Sequence, residues 1–197
     1  GGILGKRFYE KDIRFSCSDF EHALQKSCYG PVEIKGVLEE YFQETLVTNQ
    51  EKTVRKEEKK HRFLMAIREY MAEISDEKSL VYLWSLKLES DRVYGYQLLM
   101  KEYYNDPDQA LLLMQQVGRG WTVLERYQKS GEMYPLAVFA AEVTGNPHFF
   151  DRNTVAGQLL MHLICYASGA DLPENAHHWR ERLEAVCIVS DNLSSMI

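Results

Sequence analysis

Apolar residues recur along this chain mostly at helical spacing, and capping residues, glycines and prolines mark the breaks between those runs. The pattern from Thr48 onward stands apart. Thr48 and Glu51 have the spacing of a capping box, and no break follows before Ser75-Asp76, which predicts one helix of about 25 residues, about 37 Å long at 1.5 Å per residue. Its first half is polar on every side, with Lys52, Arg55, Lys56, Lys59, Lys60 and Arg62 set among Glu51, Glu57 and Glu58. Its second half carries an apolar stripe of Phe63, Leu64, Ile67, Tyr70, Met71 and Ile74, as in a helix laid on a core. A helix that is polar all round for about three turns is expected to project from the body or to pack on a partner.

Further helices are predicted at about Leu80 to Leu88 and about Tyr94 to Tyr104. Asp106-Pro107 is an N-cap followed by proline at the first helical position, and Leu111, Leu112 and Met114 bury the helix it opens. Gly118-Arg119-Gly120 reads as the end of that helix, a plain turn before a helical stretch from Trp121 to Tyr127. Pro135 opens an apolar helix through Ala137, Val138, Phe139 and Ala140. A helix from Leu159 to Ala167 precedes breaks at Gly169 and Pro173, and a last one from Ala176 to Val186 holds Trp179 and Leu183.

Nearer the start, the alternation of Asp12 to Ser16 predicts a short half-buried strand. Ser18 and Glu21 form a capping box ahead of a helix with Phe20, Ala23 and Leu24. Gly30-Pro31 breaks the chain before a second strand with Val32 and Ile34, and a helix with Val37, Leu38, Tyr41 and Phe42 follows. The predicted fold is mainly α: a small N-terminal α/β unit, winged-helix-like, over residues 1–47, a long projecting helix over 48–74 and a helical domain over 75–197.

Composition narrows the class without choosing a function. A hydrophobic share of 45% with 26% charged residues is ordinary for a globular chain. No run of about 18 apolar residues exists and no basic-then-apolar leader opens the chain, so neither a membrane span nor a secretory signal is expected, and the expected location is the cytoplasm. Cys17, Cys28, Cys165 and Cys187 lack C-x-x-C spacing and are expected to be free thiols rather than zinc ligands or disulfides. The net charge of -6 argues against a uniformly basic surface and confines any nucleic-acid contact to local patches.

Among candidate chemistries, His148 and Asp151, with His162, Asp171, His177 and His178, raise the question of a divalent metal. A turn role for His148 and a cap role for Asp151 explain both positions without one, and His177 and His178 would point about 100° apart on a helix, so no metal site is assigned. Gly118-Arg119-Gly120 lacks the spacing of a phosphate loop. No residue is assigned a catalytic role. The cationic run Lys52, Arg55, Lys56, Lys59, Lys60 and Arg62 supplies the candidates for contact with DNA phosphates, against the plainer reading of a solvated helix laced by pairs such as Glu51 to Arg55. Arg14, Lys26 and Lys35 are secondary candidates.

The most specific stretch is Thr144 to Leu160. Gly145 suits a left-handed helix end, Asn146-Pro147 forces an extended turn, and Asp151 or Thr154 can cap the amides of the helix that carries Leu159, Leu160 and Leu163 inward. In the pattern Thr144-Gly145-Asn146-Pro147-His148, Asp151, Thr154, Gly157 and Leu159-Leu160, followed by Asp191-Asn192-Leu193-Ser194-Ser195, the chain resembles the N-terminal half of the toprim-type nuclease subunit of Wadjet, the bacterial SMC-like anti-plasmid defence systems. A second similar run joins Ser18 to Leu24 with Leu38 to Thr48, while residues 75 to 130 match only as generic helix. The resemblance implies a protein that acts on double-stranded plasmid DNA and docks on an SMC-like motor complex, with homodimer formation left open. It also implies a divalent metal, Mg²⁺ or Mn²⁺, in a toprim domain, and no cofactor in this chain. The opening Gly1-Gly2 and the ending Met196-Ile197 read as cuts in a longer protein, whose metal-binding acidic residues would lie beyond Ile197. Two rival readings stand beside it: a protein-interaction adaptor that never meets DNA, and a freestanding metal-dependent hydrolase centred on His148 and Asp151.

Overall fold

A computed structural model of the chain describes residues 16–27, 30 and 33–190. It is mainly helical, with nine helices and one two-stranded sheet among those residues. The chain divides into two compact units within its longest helix, one ending at Lys56 and the other starting at Glu57.

In the first unit, α1 spans Cys17–Gln25 and α2 spans Ile34–Phe42. The capping box expected at Ser18 and Glu21 is not formed. Ser16 is the N-cap instead, its Oγ accepting from the Asp19 amide at 3.1 Å, while Glu21 turns to accept from the Ile34 amide at 3.2 Å. Ser-x-x-Asp two residues earlier thus competes with Ser-x-x-Glu, and Glu21 is drawn to the orphan donors at the start of α2. That start corrects the second predicted strand: Ile34 is the first residue of α2. The strand at 12–15 and Val32 lie outside the described residues. Gln43, at φ 54°, closes α2 in the left-handed region.

The long helix, α3, runs Asn49–Ile74, within a residue of expectation at each end. Its start is set by the capping box, which is formed on both arms: the Glu51 amide donates to Thr48 Oγ1 at 3.1 Å, and the Thr48 amide donates to Glu51 Oε2 at 2.7 Å. Phe63, Leu64, Ile67 and Met71 are buried, and Tyr70 and Ile74 pack partly buried against the same core.

In the second unit, α4 (Leu80–Ser90) and α5 (Tyr96–Asn105) lead into α6 (Pro107–Ser130), which Asp106 caps by accepting from the Asp108 and Gln109 amides at 3.0 and 3.1 Å. Here the expected turn is overturned. Gly118-Arg119-Gly120 lies inside α6, which runs on unbroken for 24 residues. A Cβ on Gly118 would stand 2.6 Å from Met71 Sδ, and one on Gly120 would stand 3.2 Å from Phe150 Cζ. These glycines let other elements pack closely against the helix, which outweighs a propensity cost of about 1 kcal/mol each.

The remaining helices are α7 (Leu136–Thr144), α8 (Val155–Ser168) and α9 (Ala176–Glu184). Pro135 caps α7, and Gly145 and Gly169 end α7 and α8 with positive φ, as expected. Central α6 packs on α5, α7 and α8 around Trp84, Trp121, Phe139 and Phe150, all buried. One unexpected pairing joins β1 (Tyr134–Pro135) to β2 (Ile188–Val189) in parallel, Tyr134 opposite Ile188. No described helix is long and apolar enough to cross a membrane.

Candidate nucleic-acid interface

At 3.6 residues per turn, Lys52, Arg55, Lys56, Lys59 and Arg62 fall within an arc of about 120° on α3. All five are exposed, and among the described residues none of their side chains has an ion-pair partner. Lys60, Glu57 and Glu58 fall outside that arc. Lys60 is the exception among the six cationic candidates: its ammonium donates to Glu57, and only 13% of its side chain is exposed. That hydrogen bond raises the Lys60 pKa and lowers the Glu57 pKa.

The plainer reading of this helix half offered Glu51 and Arg55 as one of its pairs. Glu51 is engaged elsewhere. Lys35 Nζ donates to its Oε1 at 2.7 Å while Oε2 closes the capping box, and the Lys35 hydrogen bond, with the Thr48 amide next, lowers its pKa to about 2. Arg55 is thereby left in the stripe, and Lys35 ceases to be a free cation. His61 also turns away, its Nδ1 2.9 Å from Glu89 Oε1, where Arg68 Nη1 donates to Oε2 at 3.4 Å. Of the secondary candidates, Lys26 is exposed at the end of α1 and Arg14 lies outside the described residues.

The joint between α7 and α8 is built from side chains that tie the backbone to itself. Thr144 Oγ1 accepts from the Asn146 amide at 3.1 Å, and Asn146 Oδ1 accepts from the His148 amide at 3.0 Å across the exposed Pro147. Thr154 is the N-cap of α8: its Oγ1 accepts from the Gly157 amide at 3.0 Å and lies 2.8 Å from the carbonyl oxygens of Phe149 and Asp151, to which it donates. Of the two expected caps, Thr154 therefore takes the role and Asp151 does not. The Asp151 carboxylate faces His148 Nδ1 at 3.0 Å instead. Gly157 is required by space, since a Cβ there would lie 2.2 Å from the Asp151 carbonyl oxygen.

Beyond this pair, no group of three or more His, Cys, Asp or Glu residues is placed to hold a metal ion among the described residues. His177 Nε2 sits 3.9 Å from Glu181 Oε1, His178 Nδ1 lies 3.4 Å from Asn175 Nδ2, and burial lowers the pKa of His162. Cys17, Cys165 and Cys187 are free thiols.

A feature missed in the sequence is a groove of about 480 Å³ where α5 and α6 face the joint. Glu102, Leu112, Leu113, Gln116, Phe149 and Val155 line it with others. Gln116 sits in the middle of an ordinary amphipathic helix, and only the tertiary packing brings it to the joint.

The family model described as "Protein of unknown function N-terminus (DUF3323)" matches residues 1–197. No curated protein matches the chain. No solved structure matches it.

Proposed function

The chain belongs to the DUF3323 N-terminal family, and on that premise we propose that it is the non-catalytic, DNA-contacting portion of a toprim-type plasmid nuclease subunit in an SMC-like defence complex. The unpaired stripe of Lys52, Arg55, Lys56, Lys59 and Arg62 carries this reading. Five exposed cations on one helix face match a row of phosphates, and each contact releases a counterion. Side-chain pairing within the helix leaves these five aside, which supports a partner for them outside the helix. The resemblance of the Thr144 to Leu160 joint supplies the nuclease context. Metal-dependent cleavage with Mg²⁺ or Mn²⁺ belongs to the toprim domain of that context.

Binding by such a stripe is weak and independent of sequence, with Kd about 10⁻⁴ to 10⁻⁶ M at physiological salt. Anisotropy of a labelled duplex, titrated at several salt concentrations, tests it. Joint replacement of Lys52, Lys56 and Lys59 with Gln is expected to flatten the salt slope by up to about 3 units, at about 0.9 per lost phosphate contact. Lys60→Gln is expected to leave the slope nearly unchanged, because Lys60 is held by Glu57. An unchanged slope in the triple variant, or no binding at low salt, overturns the proposal and leaves the stripe to a protein partner.

A further inference from the structure

The groove beside the joint is a second candidate surface, and it uses no residue of the cationic stripe. Leu112, Leu113, Phe149 and Val155 give it an apolar stretch, with Leu112 46% exposed, beside polar residues of α5, α6 and the joint. Two of those polar residues carry acceptors without a partner among the described residues. Glu102, on α5, has no ion-pair or hydrogen-bond partner for its carboxylate among the described residues. Gln116, on α6, has its Oε1 buried without a hydrogen-bond donor. An acceptor left unpaired away from water is costly, so a donor entering the groove gains from turning the Gln116 amide toward it.

Charge decides which donor. No lysine or arginine lines the groove, and Glu102 is its one carboxylate. A volume of about 480 Å³ is of the size that takes a small ligand or a few side chains of a bound segment. We propose that this groove docks a partner polypeptide through an arginine side chain, the stem of the arginine on Leu113 and Phe149 and its guanidinium shared by the Glu102 carboxylate and the Gln116 carbonyl. Arginine fits better than lysine because its planar fork offers several donors at once, one for a carboxylate and one for a neutral carbonyl, on a weakly hydrated head that tolerates apolar walls. The proposal is independent of the DNA reading, and either can fail without the other.

The test uses acetyl-leucyl-arginyl-leucine amide as probe, with the citrulline peptide as a neutral control of the same shape. The probe is titrated into the isotope-labelled chain to about 10 mM, the range for a single side-chain anchor, while backbone amide shifts are followed. Saturable shifts are expected at Leu113, Gln116, His148 to Phe149 and Val155 to Ala156. The citrulline peptide, and the arginine peptide with Glu102→Gln, are expected to bind about tenfold or more weakly, as for one lost charge-assisted hydrogen bond. Gln116→Met keeps the length of the side chain and removes the acceptor. It is expected to raise the melting temperature while weakening the arginine peptide about fivefold, a combination that loss of folding cannot produce. Equal binding of the arginine and citrulline peptides, shifts that map elsewhere, or no saturable shift overturns the proposal.

Discussion

At Gly157, an added methyl group meets backbone rather than a side chain that can rotate away. Its Cβ would lie 2.2 Å from the Asp151 carbonyl oxygen and 2.6 Å from that of Phe150. Gly118 makes a useful contrast: its nearest obstacle, at 2.6 Å, is the sulfur of Met71, the flexible part of a long side chain. Gly157→Ala is expected to lose roughly 2–4 kcal/mol even after the gain of about 1 kcal/mol in helix propensity, whereas Gly118→Ala is expected to lose less than about 1.5 kcal/mol. Urea unfolding of both variants measures the difference, and equal losses would mean that the joint yields as readily as the thioether. The sequence placed Gly157 in the joint but could not supply this reason, which depends on a carbonyl six residues earlier folding back over the first turn of α8. For Asp151 and Thr154 the sequence left two caps open. The choice follows from geometry, because only Thr154 sits at the residue preceding the first helical one, and Asp151 is left to pair with the exposed His148.

Elements whose ends are set by their own neighbours were legible before the structure. The start of α3 followed from Thr48 and Glu51 and its end from Ser75-Asp76, the start of α6 from Asp106-Pro107, and the end of α7 from Gly145, each signal within a few residues of the boundary it sets. The far end of α6 was not, because Gly118 and Gly120 answer to Met71, Phe139 and Phe150 from distant parts of the chain, a contact that propensity cannot see. The start of α3 carries a pH dependence of known sign. Glu51 has its pKa lowered to about 2 from a reference of 4.5, first by Lys35, so its contribution is fully present above about pH 4.5 and is lost as pH falls toward 2. Hydrogen-exchange protection in the first turns of α3, taken relative to the intrinsic amide rate at each pH, is therefore expected to fall between pH 4.5 and 2 in the parent more than in Glu51→Gln, which lacks the titrating group. At pH 7 the variant is expected to exchange faster than the parent there. If both proteins respond to acid alike, the capping box and the Lys35 pair do not hold this helix end.

A net charge of -6 coexists with a stripe of cations that have no ion-pair partner among the described residues, so any attraction to DNA is local and falls quickly with distance at physiological salt. Under the proposed function such a stripe would position a duplex and perform no chemistry on it. Phosphodiester hydrolysis by a metal-dependent enzyme calls for carboxylate or imidazole groups gathered around an ion, and the described residues gather no three of them. The pair at the joint, His148 and Asp151, is engaged in a mutual contact at 3.0 Å on an exposed turn. On the proposed function, this chain, incubated with supercoiled plasmid and Mg²⁺ or Mn²⁺, is expected to leave the plasmid intact while retaining weak, salt-sensitive binding. Gel analysis of plasmid topology over a time course measures both arms when paired with the anisotropy titration. Nicking that survives rigorous purification and disappears in Asp151→Ala would move the chemistry to the α7–α8 joint, and the stripe on α3 would then serve to deliver DNA to a site within this chain.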